Sequence, residues 1–333
     1  VDALAFGPVP SRRLGRSVGI NTIPSTLPGA GRRADQPFKA CSYSCAYCQV
    51  GRTLGQRIER TAFFEPALVV QSARQVVEET RRAGGRVDYL CVVPDGEPTL
   101  DLRLGELIEG LRPLAIPVAV ITNGSLLPRA DVRRELARAD WVSLKVDAVD
   151  ERTWRRVDRP HRALRLAEIL EAMLAFRHAF EGRLVTETML VAGRNDDEGG
   201  TRAVADFLVR LRPDVVYLSV PTRPPADASV APPSPEMLRR IAAVFEGLLP
   251  DVRCLAEYEG NTFSCSGEPG AALLGITAVH PMREEAVQEF LREAGAPWAL
   301  VQGLLDRGDL VQVDYEGERY YRKGSPPGPG GGT

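Results

Sequence analysis

Cys41-Ser42-Tyr43-Ser44-Cys45-Ala46-Tyr47-Cys48 places three thiols within eight residues, separated by three and then two positions. Spacings this short let several thiolates reach one metal centre without help from the distant chain. Zinc is one reading, but a structural zinc site takes four ligands. The three histidines, His161, His178 and His280, all lie far from the triplet in sequence. Three thiolates without a fourth suit a four-iron cluster that keeps one iron open for a small molecule. The rest of the chain then reads as scaffold or lining for what these cysteines hold.

Outward from the triplet, strand and helix patterns alternate. Short apolar strand runs are expected at residues 17–21, 87–93, 117–121, 141–144, 184–191, 215–220 and 252–256. Helical spacing falls between them, as in Val69, Val70, Ala73, Val76 and Val77, and again in Leu166, Ile169, Leu170, Met173 and Leu174. Alternation of this kind implies parallel pairing with right-handed crossovers. Six or seven such units fit a partial or complete α/β barrel better than an open sheet. Gly7-Pro8-Val9-Pro10 reads as an irregular, turn-rich start, and residues 24–37 as a long loop.

Beyond Gly260 the style changes. Two short helices over 284–294 and 298–305, and strands flanking Glu316-Gly317, suggest a small winged-helix-like module. The expected organisation is a barrel over residues 1–258, a linker over 259–275, the module over 276–323 and a disordered tail over 324–333.

At 333 residues, with 44% hydrophobic and 26% charged, the chain can bury a sizeable core. Its net charge of −2 excludes a globally basic nucleic-acid binder. Residues 1–60 nevertheless hold nine basic side chains against three acidic ones, so a local basic lip beside the cysteines could attract an anion. The module region 279–323 holds nine acidic residues and six basic ones, which does not suit a phosphate-tracking surface. No apolar run is long enough to span a bilayer, and the first residues lack the pattern of a signal peptide. Together with the cysteine usage this points to the reducing cytoplasm and to no membrane partner. The scattered Cys91, Cys254 and Cys265 read as buried, inert thiols.

Polar residues recur where strands end. Asp95-Gly96-Glu97-Pro98-Thr99-Leu100 follows the strand at 87–93. A carboxylate there can accept from an ammonium, and a glycine lets backbone approach closely; a turn opening a helix is the plain alternative. Thr122-Asn123-Gly124-Ser125 offers an amide to a ribose hydroxyl or forms an ordinary Asn-Gly turn. Lys145, one of only three lysines, ends an apolar strand and could meet a ligand carboxylate or an acid such as Asp147. Glu187, Arg194-Asn195-Asp196 and Pro221-Thr222-Arg223-Pro224-Pro225 continue the pattern. His280 reads as a helix-start or packing residue, and the Tyr320-Tyr321 pair as hairpin packing.

The triplet, with Tyr47 just before its last cysteine, resembles the CxxxCxxC motif of the radical S-adenosylmethionine (SAM) superfamily. Asp95–Leu100 is similar to that superfamily's Gly-Gly-Glu-Pro motif, with Asp95 in place of the first glycine. The resemblance implies an α/β fold of the partial (β/α)6 barrel type and a [4Fe-4S] cluster on Cys41, Cys45 and Cys48, with SAM held by Tyr47, Gly96, Glu97, Asn123 and Lys145. It implies reductive cleavage of SAM to a 5'-deoxyadenosyl radical that abstracts hydrogen from substrate, with the electron supplied by a donor such as flavodoxin or ferredoxin. Residues 7–21, 48–53, 95–100, 221–225 and 279–287 are similar to a family related to the wybutosine-synthesis (4-demethylwyosine synthase) radical SAM proteins. Those tRNA-modifying relatives carry extra cysteines for a second cluster ahead of the triplet, whereas no cysteine precedes Cys41 here. One cluster is therefore expected. Arg12, Arg13 and Arg223 are the candidates for an anionic substrate or for the SAM carboxylate. RNA is the leading substrate class, followed by a peptide or small metabolite. The contrasting class is a non-enzymatic iron–sulfur or zinc-binding regulator.

Overall fold

Alternation along the strands sorts the side chains into an outer layer that meets helices and an inner layer that builds a site. The structure, a computed structural model, describes residues 4–24, 39–53, 55–256, 260, 263, 265 and 267–324. Eight strands form one sheet in chain order: β1 (Ala5–Ser11), β2 (Gly15–Ile20), β3 (Tyr89–Val92), β4 (Val118–Thr122), β5 (Trp141–Lys145), β6 (Arg183–Met189), β7 (Val215–Ser219) and β8 (Val252–Leu255). β1 pairs antiparallel with β2, and every later neighbour is parallel. This is the expected partial barrel.

The connecting helices are α1 (Pro66–Arg82), α2 (Leu104–Leu111), α3 (Ala130–Leu136), α4 (Glu151–Val157), α5 (Leu166–Ala179), α6 (Glu198–Leu211) and α7 (Pro235–Glu246). α1 shows why they form: Pro66 opens it, and Val69, Ala73, Val76 and Val77 are buried along one face, at helical spacing. Each of the valines contributes about 1.5–3 kcal/mol when fully buried. Leu90, Val92, Val120, Val142, Leu144 and Leu184 meet this helical layer in the main core. Their strand neighbours Cys91, Ala119, Trp141 and Val185, with Leu14, Val215 and Tyr217, form a separate apolar cluster, the floor of the barrel interior. Further along the same strands, Ser143, Lys145, Glu187 and Met189 line a cavity.

The C-terminal part comprises α8 (Pro269–Val279), β9 (Met282–Arg283), α9 (Glu284–Ala294), α10 (Ala299–Asp306), β10 (Leu310–Tyr315) and β11 (Glu318–Lys323). Its three strands form a small antiparallel sheet in the order β10-β11-β9. Its core, including Leu273, Ile276, Phe290 and Tyr321, extends onto Phe6 of β1.

Several expectations need correction. Residues 5–11 form a strand rather than an irregular start; Pro8 and Pro10 are tolerated because β1 lies at the edge of the sheet. The linker expected over 259–275 already contains the first turns of α8, which Glu268 caps by accepting from Gly270 N at 2.9 Å and Ala271 N at 2.6 Å. α4 was not expected, being short, with only Trp154 and Val157 buried. Cys91 is buried as anticipated, but Cys254 is exposed because β8 is the far edge strand. The loop expected over 24–37 lies outside the described residues apart from Pro24, and the tail over 324–333 apart from Gly324.

Candidate active site

The loop carrying Cys41, Cys45 and Cys48 is fastened to the loop that follows β3. Ala40 and Gly96 form a parallel bridge, with Glu97 N donating to Ala40 O at 2.8 Å. Gly96 has φ +150°, and a Cβ there would lie 1.8 Å from Ala40 O, so only glycine permits the contact. Arg60, beyond the loop, is buried and holds the same corner. It donates to Thr99 O at 2.9 Å and Asp101 O at 2.7 Å, and pairs with Asp131 and Glu135 of α3.

Glu97 is 2% exposed and well supplied with donors. Its Oε1 accepts from Thr99 N (3.0 Å), Thr99 Oγ1 (2.7 Å) and Thr122 Oγ1 (2.5 Å), and its Oε2 from Asn123 N (2.8 Å). Burial raises its pKa even against these bonds. Oε2, with one donor, keeps acceptor capacity for a ligand ammonium. The Asn123 amide turns toward the cysteine loop, with Nδ2 3.0 Å from Ser42 Oγ and 3.7 Å from Cys41 Sγ.

Tyr47 is buried against two carboxylates. Its hydroxyl donates to Asp147 and lies 3.3 Å from Asp158 Oδ1, and Cys45 Sγ lies 3.6 Å from Asp158. Burial and the neighbouring Asp147 push Asp158 well above the usual carboxylate range. Lys145 Nζ sits 5.0 Å over the Tyr47 ring and pairs at 3.1 Å with Glu187, not with Asp147. Glu187 also pairs with Arg13. Burial opposes ionisation of Glu187, but Arg13 and Lys145 outweigh it and hold its pKa at about 2.

The cysteines differ in environment. Burial pushes Cys41 up to about 11 and raises Cys45, whose charge Asp158 also opposes. At Cys48 burial again opposes ionisation, yet the Lys39 ammonium and its hydrogen bond prevail and lower the pKa. Cys41, Cys45 and Cys48 line one cavity of about 270 Å³ together with Tyr47, Gly96, Glu97, Asn123 and Lys145. Among the described residues, no three His, Cys, Asp or Glu side chains close around a point as a one-ion site.

Arg12, Arg13 and Arg223 line the same cavity. Arg12 and Arg13 come from the turn between β1 and β2, which the antiparallel course of β1 puts at the N-terminal end of the parallel strands, so the expected basic lip is only partly a mouth. Arg12 Nε is buried with no hydrogen-bond partner among the described residues. Arg223 donates to Gln49 Oε1 at 2.9 Å and contacts His280 Nε2 at 2.9 Å. His280 thus does more than pack. Arg194, expected nearby, instead pairs with Asp227 at 3.2 Å, while Asn195 is buried and bonds Asp147 O at 2.9 Å.

Residues 36–222 match the radical SAM superfamily. A UPF0026 protein of Methanocaldococcus jannaschii is 41% identical over 322 residues, 96% of each chain. The chain belongs to the UPF0026 family of radical SAM proteins. A UPF0026 protein of Helicobacter pylori is 32% identical over 248 residues, 74% of each chain. Among solved structures, TYW1 with a lysine–pyruvate adduct superposes with a TM-score of 0.51 at 17% identity, over 70% of this chain and 74% of that one. A radical SAM methyltransferase from Sphaerobacter thermophilus gives 0.51 at 17% identity, over 72% and 66%. These likenesses show a shared fold.

Superfamily membership makes the chain an enzyme and brings a [4Fe-4S] cluster and SAM as cofactors. The donor set fits: three thiols share one cavity wall, and Lys39 draws one of them toward thiolate. A carboxylate with spare acceptor capacity and several cations share the cavity with them. Lys39 carries no motif that marks it as a site residue, although it is a rare lysine two positions before Cys41. Nor does a motif mark the bonds of Gln49 and His280.

Proposed function

We propose that Cys41, Cys45 and Cys48 hold the cluster and that Tyr47, Gly96, Glu97, Asn123 and Lys145 form the SAM side of the cavity. The reaction is hydrogen abstraction from an anionic substrate, with RNA the leading class. The observation that carries this reading is the charge of one cavity. Arg12, Arg13, Lys39, Lys145 and Arg223 share it with two carboxylates, Glu97 and Glu187, among the described lining residues. SAM carries one carboxylate against an ammonium and a sulfonium, and a [4Fe-4S]2+ core on three thiolates would add one negative charge, so the cationic surplus of the lining is left for substrate. When bound, the cluster supplies the electron that cleaves SAM to a 5'-deoxyadenosyl radical.

The side chains divide the work. Glu97 Oε2 accepts from the amino group of SAM. Gly96 keeps the cluster loop against the Glu97 loop, and Tyr47 and Asn123 fix that loop from its two sides. Lys145, paired with Glu187, stays an ammonium and has no lone pair for imine formation. That contact favours abstraction without a lysine adduct of the kind seen in TYW1. The Arg12 guanidinium, with its Nε unpartnered among the described residues, is the anchor for the substrate anion. A flavodoxin- or ferredoxin-like protein is the electron donor in this reading.

Anaerobic reconstitution tests the chemistry: about four irons per chain and 5'-deoxyadenosine on reduction are expected. Zinc retained without SAM cleavage overturns it. Nucleoside profiles of RNA from cells with and without the gene test the substrate. A missing modified nucleoside is expected, and an unchanged profile moves the assignment to a peptide or small metabolite.

A further inference from the structure

Lys39 does not belong to the SAM contacts assigned above, yet its ammonium touches a cluster cysteine. The residue is 8% exposed. Its Nζ donates to Cys48 Sγ at 2.9 Å and to Gly51 O at 2.9 Å. Both acceptors belong to one turn, closed by Gly51 N donating to Cys48 O at 3.1 Å. The next residue, Ala40, is bridged to Gly96. The charge is therefore held at the sulfur from both ends of the loop.

We propose that Lys39 is a positioning residue for electron uptake: its ammonium hydrogen-bonds the Cys48 sulfur and raises the reduction potential of the cluster. The inference rests on reading Cys41, Cys45 and Cys48 as cluster ligands. One-electron reduction by an external donor adds negative charge that spreads onto the ligand sulfurs. A fixed cation bonded to one sulfur stabilises that charge more than it stabilises the oxidised form. Hydrogen bonds to sulfur, net charge and burial are the protein's means of setting such potentials. Burial keeps solvent from screening the ammonium. The Gly51 carbonyl holds Nζ on the Cys48 side of the loop, and the third ammonium proton remains available to a ligand.

The test compares wild type with K39M, K39Q and K39R. Each is reconstituted anaerobically, assayed for iron and sulfide, and titrated with dithionite while the cluster is followed by electron paramagnetic resonance. At a potential that half-reduces wild type, the reduced-to-oxidised ratio is expected to fall about tenfold in K39M, which is about 59 mV for a one-electron couple. K39R should recover most of this, and K39Q, a neutral donor, should fall between. Full iron in K39M with an unchanged midpoint overturns the inference. So does an unchanged midpoint accompanied by loss of the spectral change on adding SAM, which would assign Lys39 to the SAM carboxylate. If K39M fails to take up iron, the K39Q midpoint decides, and an unchanged value there also overturns it. A wild-type chain that binds no iron overturns the cluster reading itself, and this inference with it.

Discussion

The cavity has two walls of different construction. On one, the cysteine loop meets the loops after β3 and β4, and the Glu97 carboxylate accepts from Thr99, Thr122 and Asn123 within 26 positions of it. On the other, partners come from across the chain. Arg13 and Glu187 are 174 positions apart, as are Gln49 and Arg223, and Gln49 Nε2 reaches Val279 O at 2.6 Å from 230 positions away. The first wall is built from compact motifs and carries the proposed cofactor contacts. The second is assembled only when the β1–β2 turn, β6, the loop after β7 and the end of α8 come together, and it carries the proposed substrate cations. A cofactor shared by a superfamily suits the motif wall, and a substrate particular to one family suits the assembled wall.

The largest effect is expected on the motif wall. Cys45→Ala should abolish iron uptake and 5'-deoxyadenosine formation while leaving the melting of the metal-free chain nearly unchanged, since Cys45 is only partly buried. Iron analysis and circular dichroism together check this; a variant that keeps its iron would remove Cys45 from the ligand set. Gly96→Ala comes next. Its Cβ would fall 1.8 Å from Ala40 O at a φ of +150°, so backbone must move. A cost of at least about 3 kcal/mol is expected in urea denaturation, with reduced iron content. A variant as stable as wild type would show that the bridge between the two loops is dispensable.

The same contrast explains what could be seen in the sequence. Cys41–Cys48, Asp95–Leu100, Asn123 and Lys145 were visible because each sits in a short motif at a strand end, and the parallel topology brings strand ends together. Arg13 and Glu187 were visible only as polar residues, since nothing local indicates that a turn before β2 will reach β6. β1 was hidden by its prolines. α8 was hidden because it is apolar around much of its surface and begins in a Gly- and Pro-containing segment, so neither an amphipathic stripe nor a clean boundary marks it. Tyr320 and Tyr321 were read as hairpin packing, yet the Tyr320 hydroxyl reaches the loop after β7.

On the assembled wall, Glu187 holds Arg13 and Lys145 at once. Its folded pKa of about 2 lies below the ordinary glutamate value of about 4.3. Its stabilising contribution is therefore complete above about pH 4.3 and is lost as pH falls through about 2. Glu187→Gln leaves two cations without their shared carboxylate and should cost about 2–3 kcal/mol at pH 7. The gap from wild type should narrow as the pH is lowered toward 3. Urea denaturation of the metal-free chains at several pH values measures it, and a gap independent of pH would assign the loss to packing instead.

The smallest effect probes whether the C-terminal part belongs to that wall. Tyr320 Oη donates to Thr222 O at 2.9 Å, and Tyr315 Oη to Pro221 O at 3.1 Å. Both carbonyls belong to the loop that presents Arg223 to the cavity. Tyr320→Phe removes one tie, together with the bond from Arg283 Nε at 3.1 Å. A loss of about 1 kcal/mol is expected, and if that strain falls on the Arg223 loop, SAM cleavage at full iron content should slow by up to about fivefold. A normal cleavage rate alongside a lowered melting temperature would mean that the module supports only itself. A slowed rate with a normal melting temperature would mean that its hairpin sets the position of the substrate loop directly.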